Sequence, residues 1–198
     1  MGKVTQQHSL DRRDAVARLL QDRGDLLVVT GLGSPSYDAM AAGDHDNNYY
    51  LWAAMGSAAM IGLGLAKARP ERSVLVITGD GELMMGVGGL ATISVAQPAN
   101  LTIAVLDNGL FGETGLQQSH SGHGVEISRV AESMGFAWTG IVRTREDIDD
   151  LRARLDDRNG PGLVTIKIKG DNPPRVLPPR DGVYIKNRFR SALGFSPI

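Results

Sequence analysis

Five short apolar runs divide the chain, and each predicts a buried β-strand. Val, Ile and Leu dominate these runs, with little alternation between apolar and polar positions. A strand covered on both faces has no solvent side, so this pattern is typical of a parallel sheet between two helical layers. The runs are Leu26–Thr30, Val74–Thr78, Leu101–Leu106, Phe136–Val142 and Leu163–Ile168.

Segments with helical features lie between and around these runs. They are Leu10–Gln21, Trp52–Lys67, Gly88–Gln97, Glu126–Met134 and Thr144–Asp157, the last of which opens with Thr144 and Asp147 at capping-box spacing. The alternation of strands and helices predicts an α/β fold with a single doubly wound parallel sheet over residues 1–170. Residues 171–198 are predicted to form a Pro-rich arm and a C-terminal helix at about Gly182–Leu193.

Composition narrows the classes of protein that fit. A chain of 198 residues can bury one good-sized core, and a net charge of -1 argues against a nucleic-acid or membrane-surface binder. The absence of cysteine excludes disulfides, thiolate-bound zinc and cysteine-held iron–sulfur clusters. Met1–Ser9 is polar, so no secretory signal is expected and the cytoplasm is the default location. The apolar stretch Leu51–Ala66 is short and glycine-containing, which favours a buried helix over a membrane span.

Polar motifs follow two of the predicted strands. Gly79-Asp80-Gly81 follows the second run, and Asp107-Asn108 follows the third after a gap of 25 residues. The gap has room for one helix and one strand, which places Asp80 and Asn108 at neighbouring strand ends, where α/β sheets bind ligands. Carboxylate and amide oxygens suit Mg²⁺ or Ca²⁺, and a diphosphate would complete the shell. Taken alone, the first motif is better explained by a tight turn in which Asp80 caps a helix.

The two motifs and their spacing resemble the signature of thiamine diphosphate enzymes, and the resemblance extends from about Leu26 to Ile168. It implies thiamine diphosphate and Mg²⁺ as cofactors, with the metal bound by Asp80, Asn108 and the carbonyl of Leu110. The first asparagine of the usual pair is Asp107 here.

The same resemblance implies further cofactor contacts. Met55 would be the apolar wedge that bends the cofactor, although a methionine in an apolar segment is commonly plain core. Glu82 is expected to contact the diphosphate through its main chain, with its carboxylate turned outward to solvent. The complete expected cofactor-binding set is Gly31, Ala53, Met55, Gly79, Asp80, Gly81, Glu82, Asn108, Leu110, Phe111 and Gly112.

Two segments narrow the resemblance. Phe111–Gln117 and Met55–Ala66 are similar to stretches of sulfopyruvate and phosphonopyruvate decarboxylases. This similarity implies the β subunit of a thiamine-diphosphate-dependent lyase that decarboxylates a small 2-oxo acid. One departure matters, because those enzymes have Ser-Arg after the first strand, whereas Pro35 follows Ser34 here. The loss of an anion-binding arginine weakens the expectation of a sulfonate or phosphonate substrate.

His120 and His123 lie in a Gly-rich loop after the metal motif. They are candidate catalytic residues for acid–base steps or for contact with an anionic substrate, because histidine titrates near neutral pH. Two loop histidines without a catalytic role are the alternative.

The chain shows one α/β unit, whereas the resemblance implies a catalytic glutamate on a separate pyrimidine-binding domain. We therefore expect an α subunit that carries this domain and its glutamate, in a hetero-oligomer, with neither nucleic acid nor a membrane as partner. Two alternatives stay open. The chain could belong to a thiamine-dependent oxidoreductase or carboligase that processes a 2-oxo acid, or it could be a non-catalytic binding module.

Overall fold

A six-stranded, entirely parallel sheet forms the centre of the molecule in the computed structural model, which describes residues 10–196. Its strand order is β2-β1-β3-β4-β8-β7. The short antiparallel pair β5 and β6 lies outside this sheet. The strands are β1 (Leu27–Thr30), β2 (Asn48–Tyr50), β3 (Val74–Gly79), β4 (Leu101–Asp107), β5 (Leu110–Phe111), β6 (Gln117–Gln118), β7 (Trp138–Val142) and β8 (Gly162–Lys167).

Helices cover both faces of the sheet and create two hydrophobic cores. The first core packs α1, α2 and α7 against the sheet, and the second packs α3, α4, α5 and α6 against the opposite face. The longest helices in residues 10–196 have 11 residues, and none there could cross a membrane. The helices are α1 (Arg12–Leu19), α2 (Ser34–Ala41), α3 (Ala58–Ala68), α4 (Asp80–Met85), α5 (Gly88–Ala96), α6 (Ile127–Ser133), α7 (Arg145–Arg154) and α8 (Gly182–Ala192).

The predicted fold class is confirmed, and all five predicted strands belong to the sheet. The capping box of Thr144 and Asp147 is present at the start of α7. The helix predicted over Trp52–Lys67 begins only at Ala58, because Ala54 and Gly56 have φ values of +56° and +85° that a right-handed helix excludes. The strand β2 and the helix α2 were not predicted. The expectation for Met1–Ser9 lies outside the described residues.

The pairing of β3 with β4 positions the site. Gly79 is the register partner of Leu106, so the two strands end together at one edge of the sheet. Asp80 directly follows β3 as the first residue of α4, and Asp107 is the last residue of β4. The prediction that the two polar motifs follow neighbouring strands is therefore confirmed.

Candidate active site

A cavity of about 170 Å³ opens at this carboxyl edge of the sheet. Its wall contains most of the residues predicted to bind the cofactor, namely Met55, Gly79, Asp80, Gly81, Glu82, Asn108, Leu110, Phe111 and Gly112. Gly31 and Ala53 lie outside the wall: Gly31 packs on the Glu82 side chain, and Ala53 is exposed. The fold thus gathers residues from four loops into one concave site.

Asp80 is a buried carboxylate of the cavity wall, with only 3% of its surface exposed. The hydroxyls of Ser119 and Ser121 both donate to its Oδ2 atom, the latter at 2.8 Å. Burial raises the pKa of Asp80, and these two hydrogen bonds act in the opposite direction. Because hydroxyls carry no charge, a cation at this carboxylate would supply the missing positive charge.

The donor set fits a magnesium–diphosphate complex better than a metal held by protein alone. Asn108 lines the cavity beside Asp80, and its Oδ1 atom accepts a hydrogen bond from the Leu110 N–H at 2.9 Å. Residues 10–196 contain no group of three or more His, Cys, Asp or Glu side chains that could hold a metal. A hard cation here would therefore take further oxygens from a ligand or from water.

The neighbouring acid, Asp107, is neutralised within the protein. Lys167, its register partner on β8, forms an ion pair with Oδ2. The single Ser121 hydroxyl proton is shared between Oδ1 of Asp107, at 2.6 Å, and Oδ2 of Asp80. Ser119, Ser121 and Lys167 were not predicted, because each reaches the site across the fold. Their contacts leave Asp80 as the acid of this pair that is available to a cation.

The expectation that the Glu82 carboxylate points to solvent was wrong. Glu82 is 5% exposed, and its carboxylate accepts hydrogen bonds from Thr78 Oγ1 at 2.8 Å and from the Leu32 N–H at 3.2 Å. A Cβ atom on Gly31 would collide with this carboxylate, so the glycine provides the space for it. Burial raises the pKa of Glu82, against these hydrogen bonds. The side chain thus ties the loop after β1 to the start of α4.

Met55 lies in the loop before α3, lines the cavity and is 46% exposed, so the reading of Met55 as plain core was wrong. The next residue, Gly56, packs directly against the end of α4, where an added Cβ would lie 2.6 Å from the Gly86 N atom. This close backbone contact needs glycine and fixes the position of the methionine. Met85 adds a second exposed methionine to the same wall.

The two loop histidines lie outside the cavity wall, and both are exposed. The His120 ring is 6.2 Å from the ring of Phe111, which does line the cavity, in an edge-on arrangement. The His123 N–H donates to the Ser119 carbonyl at 3.1 Å. The loop that carries both histidines is therefore anchored to Asp80, while the catalytic role of the histidines stays a prediction.

Fold and site together define a doubly wound α/β domain whose carboxyl edge offers oxygen ligands suited to a hard cation that also carries an anionic ligand. The chain belongs to the thiamine pyrophosphate enzymes, because residues 35–166 match the family described as thiamine pyrophosphate enzyme, C-terminal TPP binding domain. This match confirms the predicted family and its cofactor, thiamine diphosphate.

Relatives of known name agree with this membership. The chain is 35% identical to sulfopyruvate decarboxylase subunit beta of Methanothermobacter thermautotrophicus, over 91% of this chain and 94% of that protein. It is also 35% identical to phosphonopyruvate decarboxylase of Streptomyces viridochromogenes, over 92% of this chain but only 46% of that protein. Benzoylformate decarboxylase from Polynucleobacter necessarius shares the fold, with a TM-score of 0.70 and 17% identity over 88% of this chain and 36% of that one.

The buried carboxylate of Glu82 generates a prediction about stability. Glu82→Ala should lower the free energy of unfolding by about 1–3 kcal/mol, because the buried Thr78 hydroxyl and the half-buried Leu32 N–H lose their acceptor. Glu82→Gln keeps an acceptor of similar shape and should be tolerated better. Because the folded-state pKa of Glu82 is raised, its burial favours folding at low pH and costs stability as pH rises through that pKa.

The glutamine variant should therefore lose less stability than the wild type between pH 5 and pH 8. Urea unfolding of wild type, Glu82→Ala and Glu82→Gln at both pH values measures these differences. Equal stability of the alanine variant and the wild type would refute the structural role of the carboxylate.

Proposed function

We propose that this chain is the metal- and diphosphate-binding subunit of a thiamine-diphosphate-dependent 2-oxo acid decarboxylase, located in the cytoplasm. The observation that carries the proposal is the placement of Asp80, Asn108 and Met55 in the wall of one cavity. Relatives of matching length named as decarboxylase beta subunits support it. The substrate is proposed only as a small 2-oxo acid.

Each part of the cavity has a task in this proposal. Asp80, Asn108 and the Leu110 carbonyl hold Mg²⁺, while Gly81 and Glu82 offer main-chain N–H groups to the diphosphate from the first turn of α4. Met55 supports the cofactor from below. Bound thiamine diphosphate supplies the electron sink that decarboxylation needs, and the protein supplies orientation and exclusion of water. His120 and His123 are proposed for proton transfer or contact with the substrate anion.

A partner is proposed because each glutamate in the described cavity wall already has a hydrogen-bond or ion-pair partner within the chain. Within residues 10–196, the glutamates in this wall are Glu82, which is engaged by Thr78 and Leu32, and Glu113, which pairs with Arg175 at 2.7 Å. The carboxylate that acts on the pyrimidine ring would come from an α subunit with a pyrimidine-binding domain. The chain spans about half of a phosphonopyruvate decarboxylase, which leaves the other half of that protein for such a domain. Exposed Leu116 offers apolar contact surface.

Removal of the metal-binding carboxylate tests the proposal. Asp80→Ala should abolish thiamine diphosphate binding in the presence of Mg²⁺, because the diphosphate then faces the protein without its bridging cation. Calorimetric titration of the assembled enzyme measures this loss. Asp156→Ala, which changes an exposed acid outside the cavity wall, should bind normally. Unchanged cofactor affinity in Asp80→Ala would sink the assignment.

Truncation of Met55 tests the wedge. Met55→Ala should weaken cofactor binding and lower turnover while stability changes less than the roughly 2–5 kcal/mol typical of a buried methionine, because Met55 is half exposed. Met60→Ala is the matched control, since Met60 is also exposed but lies outside the cavity wall. Equal effects of the two substitutions on cofactor binding would remove the special role of Met55.

An activity assay of the isolated chain tests whether a partner subunit is required for decarboxylation. Purified alone and supplied with Mg²⁺, thiamine diphosphate and a panel of 2-oxo acids, the chain should release no CO₂, because the pyrimidine-side carboxylate is absent. Addition of the α subunit should restore release of CO₂ and an aldehyde from one or more of the acids. Robust decarboxylation by the isolated chain would contradict the proposal that a partner subunit completes the active site. Products other than an aldehyde would favour the carboligase or oxidoreductase alternative.

A further inference from the structure

Arg12 is the one cationic side chain in the cavity wall among the residues that the structure describes. It lies on the first turn of α1 and is 3% exposed. Its Nη1 atom donates to Ser34 Oγ at 2.8 Å, in the loop after β1. A guanidinium is costly to bury unless charge and hydrogen bonds compensate it, so its surroundings decide what it can bind.

The charge of Arg12 is only partly balanced. Asp38 is fully buried and lies between two guanidiniums, with its Oδ2 atom 3.1 Å from Arg12 Nε and its Oδ1 atom 3.4 Å from Arg13 Nε. Burial raises the pKa of Asp38 to about 6, and the two arginines oppose this rise, so the carboxylate is ionised at neutral pH. One carboxylate thus faces two permanent positive charges.

The hydrogen-bonding capacity of Arg12 is also incompletely used. Arg12 Nε and Asp38 Oδ2 are close enough for an ion pair, yet neither atom has a hydrogen-bond partner, because the N–H is not aligned with the oxygen. The bond to Ser34 is the only hydrogen bond of the Arg12 side chain to the described residues. A buried guanidinium with excess charge and unused donors is suited to a phosphate-type anion. Two oxygens of such an anion can accept the paired, parallel N–H donors of the guanidinium, here called its fork.

The position of Arg12 selects the anion. The Leu10 N–H donates to the carbonyl of Lys167, the last residue of β8, and the Leu10 carbonyl accepts from the Lys169 N–H just beyond it. These bonds hold the start of α1 at the carboxyl edge, on the face of the first core. Met55 precedes α3, which packs on the opposite face. The ends of β3 and β4, with Asp80 and Asn108, lie between. The cavity thus passes from the methionine side, across the metal ligands, to the guanidinium.

We propose that Arg12 binds the terminal phosphate of the cofactor and makes the cavity selective for a diphosphate over a monophosphate. The inference rests on the proposed function, in which Met55 supports the reactive ring and Asp80 with Asn108 holds the metal. The substrate reacts at the Met55 side, so the distal phosphate is the anion that extends toward Arg12. One arginine then balances Asp38, and the other has the phosphate as its counter-charge.

The test compares two arginines that share Asp38 but differ in access to the cavity. Arg12→Met and Arg13→Met are titrated by calorimetry in the assembled enzyme, at saturating Mg²⁺, with thiamine diphosphate and with thiamine monophosphate. Arg12→Met should raise the Kd for the diphosphate on the order of ten- to a hundredfold, with little change for the monophosphate. Arg13→Met should leave both Kd values near the wild type.

Arg12→Lys keeps the charge but loses the fork, so its affinity for the diphosphate should fall between wild type and Arg12→Met. If urea unfolding shows that Arg12→Met does not fold, Arg12→Lys carries the test.

An unchanged Kd for the diphosphate in the folded variants overturns the inference, as does an equal loss of affinity for both ligands. An unchanged Kd with a raised KM for dianionic 2-oxo acids but not for pyruvate also overturns it, by assigning Arg12 to the substrate. Failure of the wild type to bind thiamine diphosphate sinks the proposed function itself, whereas normal wild-type binding confines a failure to Arg12.

Discussion

The parallel pairing of β3 and β4 is the constraint on which the site depends. Gly79 faces Leu106 in the register, and β4 is buried along its whole length. A slip of one residue would turn every buried side chain of β4 to the opposite core, so packing on both faces fixes the register. With the register fixed, the residues that follow each strand leave the sheet side by side. A carboxylate and an amide from two motifs separated by 25 residues in sequence become neighbours without any direct bond between them.

The same edge concentrates negative charge, and the structure compensates each acid differently. Asp107 is paired with Lys167 on β8, and Glu82 is held by Thr78 and the Leu32 N–H beneath the loop after β1. Asp80 receives uncharged donors, among them the hydroxyls of Ser119 and Ser121. Of these three acids, Asp80 is the one that has neither an ion pair like that of Asp107 nor a main-chain N–H donor from the loop after β1 like that of Glu82. It is also the acid that is proposed to bind the metal. This division also explains why an aspartate is tolerated at position 107, since its charge is cancelled by its own register partner.

How far the sequence predicts such a molecule depends on whether the signal is local. Apolar runs identified the buried strands, but β2 is a three-residue edge strand of Asn and Tyr without such a run. Helix α2 went unrecognised because its buried Asp38 is stabilised by Arg12, far away in sequence. The orientation of Glu82 was predicted from charge repulsion alone, whereas the space left by Gly31 decides it. The metal motif was predictable because its two halves follow strands that are themselves predictable, and the serine and lysine contacts were not.

Polar and apolar groups are segregated around the cavity, and this segregation supports a partner subunit that completes the active site. The hydrogen-bonding and charged groups, Arg12, Asp80 and Asn108 among them, lie along the ends of the strands and at the start of α1. The side formed by Met55 and Met85 is apolar and still open to solvent. A cofactor ring resting on these methionines would have one covered face and one wet face. Decarboxylation favours a dry site, because excluded water strengthens every electrostatic contact inside it. The second face of the ring must therefore be shielded from water by another part of the assembly. A subunit that brings a glutamate to the pyrimidine would exclude water from the ring and complete the catalytic groups when it docks.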